Sequence, residues 1–289
     1  MRNMKYTLLS LVFLISITCN AQKKHKDYQW PGFVRLNDSV FISVKEVSVS
    51  HYNEAVMLMR SLLGSNSRLP DLIPNPETVD WFGYSPFLKY AFSIDTLVKI
   101  STPYSHKSLK VHKVSDSPRV SLSFLSYVMD LPIVNVTKAQ ALLYCYVRGN
   151  GYSLLKQNTK RKKGWNLPDS VVFRLPTVEE WTTAFGKPFS INSDLSLSDA
   201  NLKGGVVCKD LWETEKTGEY RPLAVYEGYY NQRRIFNLCG NVSELIQDSD
   251  EAYGGSYAES IRFCSPDLKS GFYPPHSSIG FRVVAVIKK

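Results

Sequence analysis

The chain has 289 residues, enough for one large domain or two small ones, and its 44% hydrophobic and 12% aromatic content can bury a full core. The formal net charge is +9, and the basic residues are scattered except for two short runs, 23–26 and 160–163. Nucleic-acid surfaces interleave aromatic with basic residues, and neither run does so. We therefore expect no nucleic-acid partner.

The first 21 residues have the pattern of a secretory signal peptide. Arg2 and Lys5 precede an apolar run over 7–17, which is too short to span a bilayer, and Ala21 offers a small residue for cleavage. No later segment reaches membrane-spanning length. The mature chain is therefore expected to divide into a charged lead-in, 22–29, and a single domain.

The sequence leaves a second processing route open. Cys19 is a candidate lipid-carrying cysteine of a bacterial lipoprotein, although Thr18 before it fits that signal poorly. With either route we expect an exported protein of the periplasm or cell envelope. Contact with the membrane is expected only through a possible lipid at Cys19, and the domain is expected to occupy 30–289.

Four cysteines follow the predicted cleavage site. An even number in an oxidising compartment permits two disulfides in three connectivities, and no CxxC or zinc-type spacing is present. Structural cysteine is therefore the default interpretation. The four residues are Cys145, Cys208, Cys239 and Cys264.

The first predicted elements are a strand and a helix. Apolar residues mostly alternate over 40–49, with a slip at 45–46, which predicts a bulged strand. Ser50 is the expected cap of a helix that ends at Gly64. Its apolar stripe is Tyr52, Ala55, Val56, Met59, Leu62 and Leu63. Residues 65–131 follow without a firm period, which predicts long, packed, irregular structure.

Two capping boxes predict two further helices. Residues 137–140 read T-K-A-Q and open the first, and the Asn150-Gly151 pair is expected to lie in the loop after it. One face of that helix carries Ala139, Leu142, Leu143 and Tyr146. Residues 177–180 read T-V-E-E and open the second, which is expected to bury Val178, Trp181 and Phe185.

The remainder of the chain favours short strands. Residues after Gly186 are rich in Gly, Tyr, Asn and Ser, and an apolar stretch over 281–287 predicts a final strand. Helices early and short strands later indicate an α+β fold. Arg174 and Glu180 flank the second capping box and are expected to tie that helix start to its neighbours.

Six motifs occur in order over residues 132–284. They are P-I-V-N-V-T at 132–137, F-R-L-P-T-V-E-E-W at 173–181, N-L-K-G-G at 201–205, N-L-C-G-N-V-S-E at 237–244, G-G-S-Y at 254–257 and G-F-R-V at 280–283. The set resembles the sulfatase-modifying-factor, or formylglycine-generating enzyme-like, family. An earlier K-E-V-S-V at 45–49 resembles the family's E-V-T entry, which extends the resemblance over 30–287. The resemblance implies a C-type-lectin-like α+β scaffold.

The resemblance also locates a catalytic site, which this chain has altered. Active members of the family hold copper(I) between two cysteines, and the corresponding positions here are Glu259 and Cys264, next to a retained Ser256. A carboxylate is a hard ligand, so two-sulfur copper binding is not expected. Ser243 and Leu245 also replace two tryptophans of the family motif. We therefore expect no catalysis from this vestigial site.

Calcium is the metal that the resemblance implies. One set comprises the Asn201 side chain, the Leu202 carbonyl, the Glu215 carboxylate and the Thr217 carbonyl. The second comprises Asn237, the carbonyls of Gly240 and Val242, and the Glu244 carboxylate. Such mixed oxygen ligands suit a hard cation. Ordinary capping and hydrogen bonding by these residues in a tight turn is the competing interpretation.

Three functions remain open from the sequence. The first is a non-catalytic binding or assembly protein with an envelope partner, similar to the gliding-motility and secretion-associated lipoproteins that carry this domain. The second is an active oxidase or other metalloenzyme with a rearranged site. The third is carbohydrate binding by aromatic loops near Trp212, Tyr226, Tyr229 and Tyr230, for which core packing is the alternative. No hydrolase, P-loop or metalloprotease motif is present.

Overall fold

A computed structural model describes residues 30–63, 73–75, 128–158, 168–186, 200–202 and 222–288. The predicted signal peptide and lead-in, Cys19, Cys208 and most of the irregular stretch lie outside these residues. The described elements are β1 (Phe33–Arg35), β2 (Val40–Ser43), α1 (Val49–Leu63), α2 (Lys138–Asn158), β3 (Val171–Arg174), α3 (Val178–Phe185), β4 (Ser243–Leu245), β5 (Ala252–Tyr253), a 3-10 helix (Ile261–Phe263), β6 (Ile279–Gly280) and β7 (Val284–Ile287).

Two small sheets organise the described part of the chain. The first has the order β1-β2-β7-β3 and is antiparallel throughout, so the last strand lies between strands from the first and middle parts of the chain. The second has the order β5-β4-β6, with β4 antiparallel to β5 and parallel to β6. With α-helices beside them, the sheets confirm the α+β class.

The predicted strand over 40–49 is correct only in its first half. β2 ends at Ser43, and the chain then leaves the sheet because the Val47 amide donates to the Phe281 carbonyl at 2.8 Å. Helix α1 already begins at Val49. Its cap is Ser48 rather than Ser50, since the Ser48 hydroxyl accepts from the His51 amide at 3.4 Å. The predicted cap was therefore wrong by two positions.

Helix α2 confirms its capping box and extends beyond its predicted end. The Thr137 amide donates to the Gln140 side chain at 2.9 Å, and the Thr137 hydroxyl accepts from the Gln140 amide at 3.2 Å. The helix runs through Asn150 and Gly151, so the predicted loop there was wrong. A Cβ at Gly151 would lie 2.6 Å from the Leu58 side chain. Glycine therefore permits close packing of α2 on α1 instead of ending the helix.

The face of α2 that packs inward differs from the predicted apolar stripe. The core receives Ala141, Tyr144 and Cys145, whereas Leu142 and Tyr146 of the predicted stripe are exposed. Tyr144 stacks on Tyr52 of α1 with ring centroids 5.6 Å apart. The buried face of α2 is therefore determined by tertiary packing and not by where the most apolar residues lie in the sequence.

Helix α3 matches its prediction closely. Thr177 and Glu180 form both hydrogen bonds of the capping box, and Trp181 and Phe185 are buried. Arg174 binds Glu180 through two hydrogen bonds of 2.6 Å, which confirms the predicted pair at this helix start. None of the described helices is both long and apolar enough to cross a membrane.

Two apolar clusters fill the space around the sheets. One joins α1, α2 and the end of the chain, and its members include Tyr52, Leu131, Tyr144, Phe173 and Phe281. The other lies against α3 and the 237–264 region, and its members include Ile42, Trp181, Leu238, Cys239 and Cys264. Strand β4 lies between these clusters and carries the polar residues of the candidate site.

Candidate functional site

Strand β4 places two polar side chains in different buried clusters. Neighbouring residues of a strand point to opposite faces of the sheet. Ser243 accordingly bonds to Glu259, while Glu244 bonds to Arg282 and Trp181. Ser243 and Glu244 are almost completely shielded from solvent. The family motifs thus converge on this strand, but they build two separate polar clusters.

The first cluster is a buried ion pair. The Glu244 carboxylate binds the Arg282 guanidinium through Nη2 and, at 2.6 Å, through Nε, and it also accepts from Trp181 Nε1 at 2.9 Å. Arg282 is 0% exposed and Glu244 is 1% exposed. A buried charge is costly unless it is paired, and this pair satisfies that condition.

Arg282 also links distant parts of the chain. Its guanidinium donates to the carbonyls of Ser43, at 3.1 Å, and Phe236, at 2.8 Å. Beside it, Gly254 has a φ of +101°, and a Cβ there would lie 3.1 Å from the Trp181 ring. The R-L-P-T, G-N-V-S-E, G-G-S and G-F-R motifs therefore meet at one structural centre.

A second buried carboxylate, Glu46, lies against two asparagines. It accepts from Asn241 Nδ2 at 2.9 Å and from Asn237 Nδ2 at 3.3 Å. Burial raises the pKa of Glu46 to about 7, even though the Arg282 charge acts in the opposite direction. Asn241 also accepts from Asn201 Nδ2 at 3.1 Å, so residues of both predicted calcium sets reach one network.

The two calcium sets are only partly placed by the structure. Glu215 and Thr217 lie outside the described residues, while Asn201 and Leu202 are buried. In the second set, the Asn237 Oδ1 atom is buried and has no hydrogen-bond partner among the residues that the structure describes. Glu244, by contrast, already accepts from two cationic or polar groups. Among the described residues no cluster of three or more His, Cys, Asp or Glu side chains is arranged to hold a metal. Calcium binding therefore stays a prediction.

The second polar cluster surrounds Glu259, at the altered catalytic position. One carboxylate oxygen, Oε2, accepts from the hydroxyls of Ser243 and Ser256 at 2.9 Å each. The other, Oε1, accepts from the Ser270 hydroxyl at 2.9 Å and the Gly271 amide at 2.6 Å. Glu259 is 4% exposed. Four neutral donors therefore hold this carboxylate and fix its two oxygens.

Cys264 is bound in a disulfide with Cys239, with Cα atoms 4.9 Å apart. This pairing identifies one bridge among the connectivities that the sequence left open. Cys145 is a free, buried thiol, and burial raises its pKa to about 12. Cys208 lies outside the described residues. Of the described cysteines, none offers an exposed thiolate.

The residues at the vestigial site do not fit copper(I). Copper(I) is usually bound by two sulfur ligands, and both must be thiolates. Cys264 is a disulfide sulfur, and Glu259 presents hard oxygens that already accept four hydrogen bonds. Ser256 is fully buried as a donor to Glu259. The three predicted vestigial residues therefore act as structural partners within this arrangement.

Sequence reasoning missed several residues of these clusters. Ser270 and Gly271 complete the Glu259 shell from a loop with no recognisable motif. Glu46 gave one signal, since it is a charged residue inside an apolar alternating stretch. Asn241 lies within a family motif, but nothing in the sequence indicated that its side chain joins Glu46 to Asn201.

The aromatic residues named for carbohydrate binding divide by exposure. Tyr226 and Tyr230 are 45% and 57% exposed, whereas Tyr229 is half-buried against the second apolar cluster. Trp212 lies outside the described residues. Core packing therefore does not account for Tyr226 and Tyr230.

Comparison with known proteins gives a family match. Residues 24–287 match the family model described as a sulfatase-modifying factor enzyme 1-like domain. No curated protein matches the chain. Among solved structures, CarF is similar with 18% identity, coverage of 86% of this chain and 87% of that chain, and a TM-score of 0.44. Variable protein 1 of Treponema denticola is similar with 16% identity, coverage of 85% of this chain and 84% of that chain, and a TM-score of 0.44. PvdO from Pseudomonas aeruginosa is similar with 16% identity, coverage of 55% of this chain and 63% of that chain, and a TM-score of 0.37.

Proposed function

Because the chain belongs to the sulfatase-modifying factor enzyme 1-like family, we propose that it is a non-catalytic binding or assembly module exported to the bacterial cell envelope. The observation that carries the proposal is the state of the two positions where active members resembling this chain carry their thiols. Glu259 holds one position and accepts four hydrogen bonds, and Cys264 holds the other within a disulfide.

The chemistry of these groups supports loss of the oxidation. Copper(I) prefers soft thiolate ligands, and a disulfide sulfur carries no negative charge with which to replace them. The Glu259 carboxylate would have to release its hydroxyl and amide donors before it could bind any ion. A buried carboxylate that loses hydrogen bonds carries a desolvation penalty. The site is thus stable as a set of internal contacts.

The scaffold itself is retained, which is consistent with selection for binding. The Glu244–Arg282 pair with Trp181, and the Arg174–Glu180 pair, keep the family motifs in one packed unit. The same scaffold supports unrelated functions, so the fold alone does not select a partner. An envelope protein or complex, of the kind found in gliding or secretion machinery, is the partner class that the predicted export signal favours.

A copper and activity assay tests the proposal. The purified, oxidised protein is titrated with copper(I) and incubated with a cysteine-containing sulfatase peptide, with formylglycine measured by mass spectrometry. We expect neither tight copper binding nor aldehyde. Formation of formylglycine by the wild-type protein would sink the proposal.

Paired variants make the same assay sharper. Glu259→Cys combined with Cys239→Ser supplies a second thiol and frees Cys264, whereas Glu259→Gln with Cys239→Ser frees Cys264 alone. Copper(I) binding is expected in the first variant and not in the second, because two sulfurs are required. Circular dichroism spectra of both variants verify that the comparison is made between folded proteins.

The proposal includes calcium as the metal that this domain binds. Asn237 Oδ1 lacks a hydrogen-bond partner among the described residues, and a carboxylate such as Glu244 retains acceptor capacity beyond the Arg282 and Trp181 contacts. Thermal unfolding with millimolar calcium or with chelator tests this part. A higher midpoint with calcium, reduced by Asn237→Ala, is expected. Equal midpoints in calcium and chelator would remove calcium from the proposal.

Export is tested on the protein produced in its own host. Cell fractionation locates the chain, and intact mass spectrometry distinguishes a mature start at Gln22 from a lipid-modified Cys19. We expect recovery in the envelope fraction. Recovery of the unprocessed chain in the cytoplasm would contradict the proposed location.

A further inference from the structure

We propose that the surface of Tyr226, Tyr230, Arg233 and Arg234 binds an acidic polysaccharide. In this arrangement, sugar rings stack on the two tyrosines, and carboxylate or sulfate groups pair with the two arginines. The inference deepens the proposed function, since it gives the non-catalytic module a ligand class. None of its four residues belongs to the Glu259 cluster or to the predicted calcium sets.

The two tyrosines are connected by a row of contacts that runs from Tyr226 through residues 45, 44 and 236 to Tyr230. Lys45 Nζ lies 5.4 Å from the centroid of the Tyr226 ring. The residue before Lys45, Val44, accepts a hydrogen bond of 2.8 Å from the Phe236 amide. Phe236 in turn packs against Tyr230, with ring centroids 5.5 Å apart. Both exposed rings are therefore supported by the same pair of backbone segments, 44–45 and Phe236.

The arginines lie at the tip of a rigid turn beside Tyr230. Asn231 Oδ1 accepts from the amides of Arg233, at 3.0 Å, and Ile235, at 3.1 Å. Asn231 Nδ2 donates to the Ala184 carbonyl at 2.8 Å, which ties the turn to helix α3. An isolated bridge between Tyr230 and Phe236 closes its base. Such a support reduces the ordering that a bound ligand would otherwise require.

The conformation of Arg234 is unusual for its residue type. Its φ is +58°, in the left-handed region that asparagine and glycine occupy more readily. Non-glycine residues in this region concentrate at ligand-binding sites. Arg233 and Arg234 are exposed, and neither has an ion-pair partner in the part of the chain that the structure describes. A guanidinium fork of this kind suits carboxylate and sulfate groups.

The charges along the row change from mixed to basic. At the Tyr226 end, the tyrosine hydroxyl donates to Asp130 at 3.0 Å, and Glu227 is exposed. Lys45 lies between, and the two arginines form the basic end. Carboxylates beside an aromatic ring accept hydrogen bonds from sugar hydroxyls, whereas the arginines neutralise acidic substituents. A polymer that carries both hydroxyls and acidic groups can place its hydroxyls near Asp130 and Glu227 and its acidic groups near the two arginines.

Two other partner classes fit less well. Protein hot spots are also enriched in tyrosine and arginine, but they lie in a desolvated centre, whereas Tyr226, Tyr230 and the two arginines are exposed to solvent. Asp130 and Glu227 would repel the phosphates of an anionic membrane, and an acidic polysaccharide avoids this repulsion by placing its hydroxyls, and not its acidic groups, against these carboxylates. An acidic polysaccharide accommodates all of these groups, since each sugar unit offers an apolar ring face and several hydroxyls.

The test uses the full mature chain and defined polymers. Biolayer interferometry measures binding to polygalacturonate and dextran sulfate, with uncharged dextran, poly-glutamate and phosphatidylglycerol vesicles as the other arms. The variant Arg233→Gln/Arg234→Asn removes both charges while placing asparagine where φ is positive, and Tyr230→Ala removes one ring. Arg262→Gln/Lys288→Gln removes two exposed charges elsewhere and serves as the matched control.

We expect the acidic polysaccharides to bind and the other three probes to bind at least about tenfold more weakly. The dissociation constant should rise about tenfold or more in the arginine variant and in Tyr230→Ala, and less than about twofold in the control. Equal loss in the control would reduce the effect to net charge and overturn the inference. Equally tight binding of poly-glutamate or vesicles, or no polysaccharide binding, would also overturn it.

The outcome is distinguishable from that of the proposed function. Absence of polysaccharide binding together with absence of formylglycine leaves the non-catalytic module standing and removes only this ligand class. Formylglycine production removes the proposed function whatever the binding assay gives.

Discussion

Two buried glutamates show how differently the same side chain is stabilised in this molecule. Glu244, at 1% exposure, is paired with the Arg282 cation and with Trp181. Glu259, at 4% exposure, has four neutral donors from three serines and one backbone amide. Burying a carboxylate costs free energy, and this cost is offset at Glu244 by pairing with a cation and at Glu259 by hydrogen bonds from neutral donors.

The Glu244 cluster holds the fold together, whereas the Glu259 cluster lies at the position that the family resemblance assigns to a catalytic thiol. Arg282 reaches Ser43 and Phe236 as well as Glu244, so that cluster joins distant segments. The Glu259 cluster instead ties local turns around a position where active relatives of this kind carry a thiol. Under the proposed function, the local Glu259 cluster stands in place of a catalytic site, while the Glu244–Arg282 pair keeps the scaffold intact.

The largest expected effect comes from breaking the ion pair. Arg282→Met leaves Glu244 buried without its counter-ion and should lower the free energy of unfolding by about 3–5 kcal/mol. Guanidinium denaturation followed by circular dichroism measures it. The exposed Arg35–Asp38 pair is the matched control, where Arg35→Met should cost less than about 1 kcal/mol. A loss at Arg282 no larger than this control would refute the assigned role.

The disulfide should give the next largest effect. Cys239→Ser with Cys264→Ser opens a bridge between residues 25 positions apart and should cost about 3 kcal/mol, because the unfolded chain regains conformational freedom. Thermal unfolding of the variant is compared with that of the oxidised and reduced wild-type protein. The reduced wild type should resemble the variant. A variant as stable as the oxidised protein would show that this bridge does not hold the region together.

The partly buried His51 provides a test of the response to acid that does not depend on Glu244 or Glu259. Burial lowers the pKa of His51 to about 4, assisted by the charges of Arg148 and Lys45 and opposed by Asp130. Since the unfolded imidazole titrates near 6.5, its contribution to stability is complete above that pH and is lost as pH falls toward 4. The His51 contribution to stability should fall by about 1–2 kcal/mol between pH 6.5 and pH 5, whereas Glu46, with its pKa raised to about 7, contributes in the opposite direction over this interval.

The variant His51→Gln isolates this acid response. It removes the titrating imidazole, so the unfolding free energy of the variant should rise relative to that of the wild type by about 1–2 kcal/mol as pH falls from 6.5 to 5. Denaturation series at closely spaced pH values provide the slopes. Identical slopes for the variant and the wild type would assign the acid response to other groups.

The smallest effect is expected at Glu259. Glu259→Gln preserves the shape, and the hydroxyls of Ser243 and Ser256 can rotate to accept from the new amide, so the cost should be about 1 kcal/mol. Glu244→Gln removes one partner of an ion pair and should cost clearly more. Urea denaturation of the two variants side by side tests the ranking. A reversed order would contradict the distinction drawn between the two clusters.

Local sequence rules predicted the capped starts of α2 and α3, but they failed for the cap of α1 and for the end and the buried face of α2. The capping boxes at Thr137 and Thr177, and the Arg174–Glu180 pair, follow from residues three to six positions apart and are confirmed. The predicted loop at Asn150-Gly151 was wrong because Gly151 is needed for contact with Leu58, a residue far away in sequence. Information about such contacts is absent from any local window.

The candidate site was predicted in part. The motifs identified Ser256, Glu259 and Cys264 as one altered site, and the structure surrounds Glu259 with hydroxyls that include Ser256. The partner of Cys264 and the roles of Ser270 and Gly271 were not predictable, because they depend on how separate loops approach each other. The calcium sets and the export signal stay predictions.

The sequence by itself determined the family and the α+β class, since these follow from ordered motifs and from the pattern of apolar residues. The replacement of a soft ligand by the Glu259 carboxylate stays a prediction. Only the tertiary structure decided which buried carboxylate pairs with Arg282, which is held by serines, and which two cysteines join. Those choices require groups far apart in the chain to meet within hydrogen-bonding or bonding distance. The physical reason is that burial makes each polar group depend on its neighbours in space.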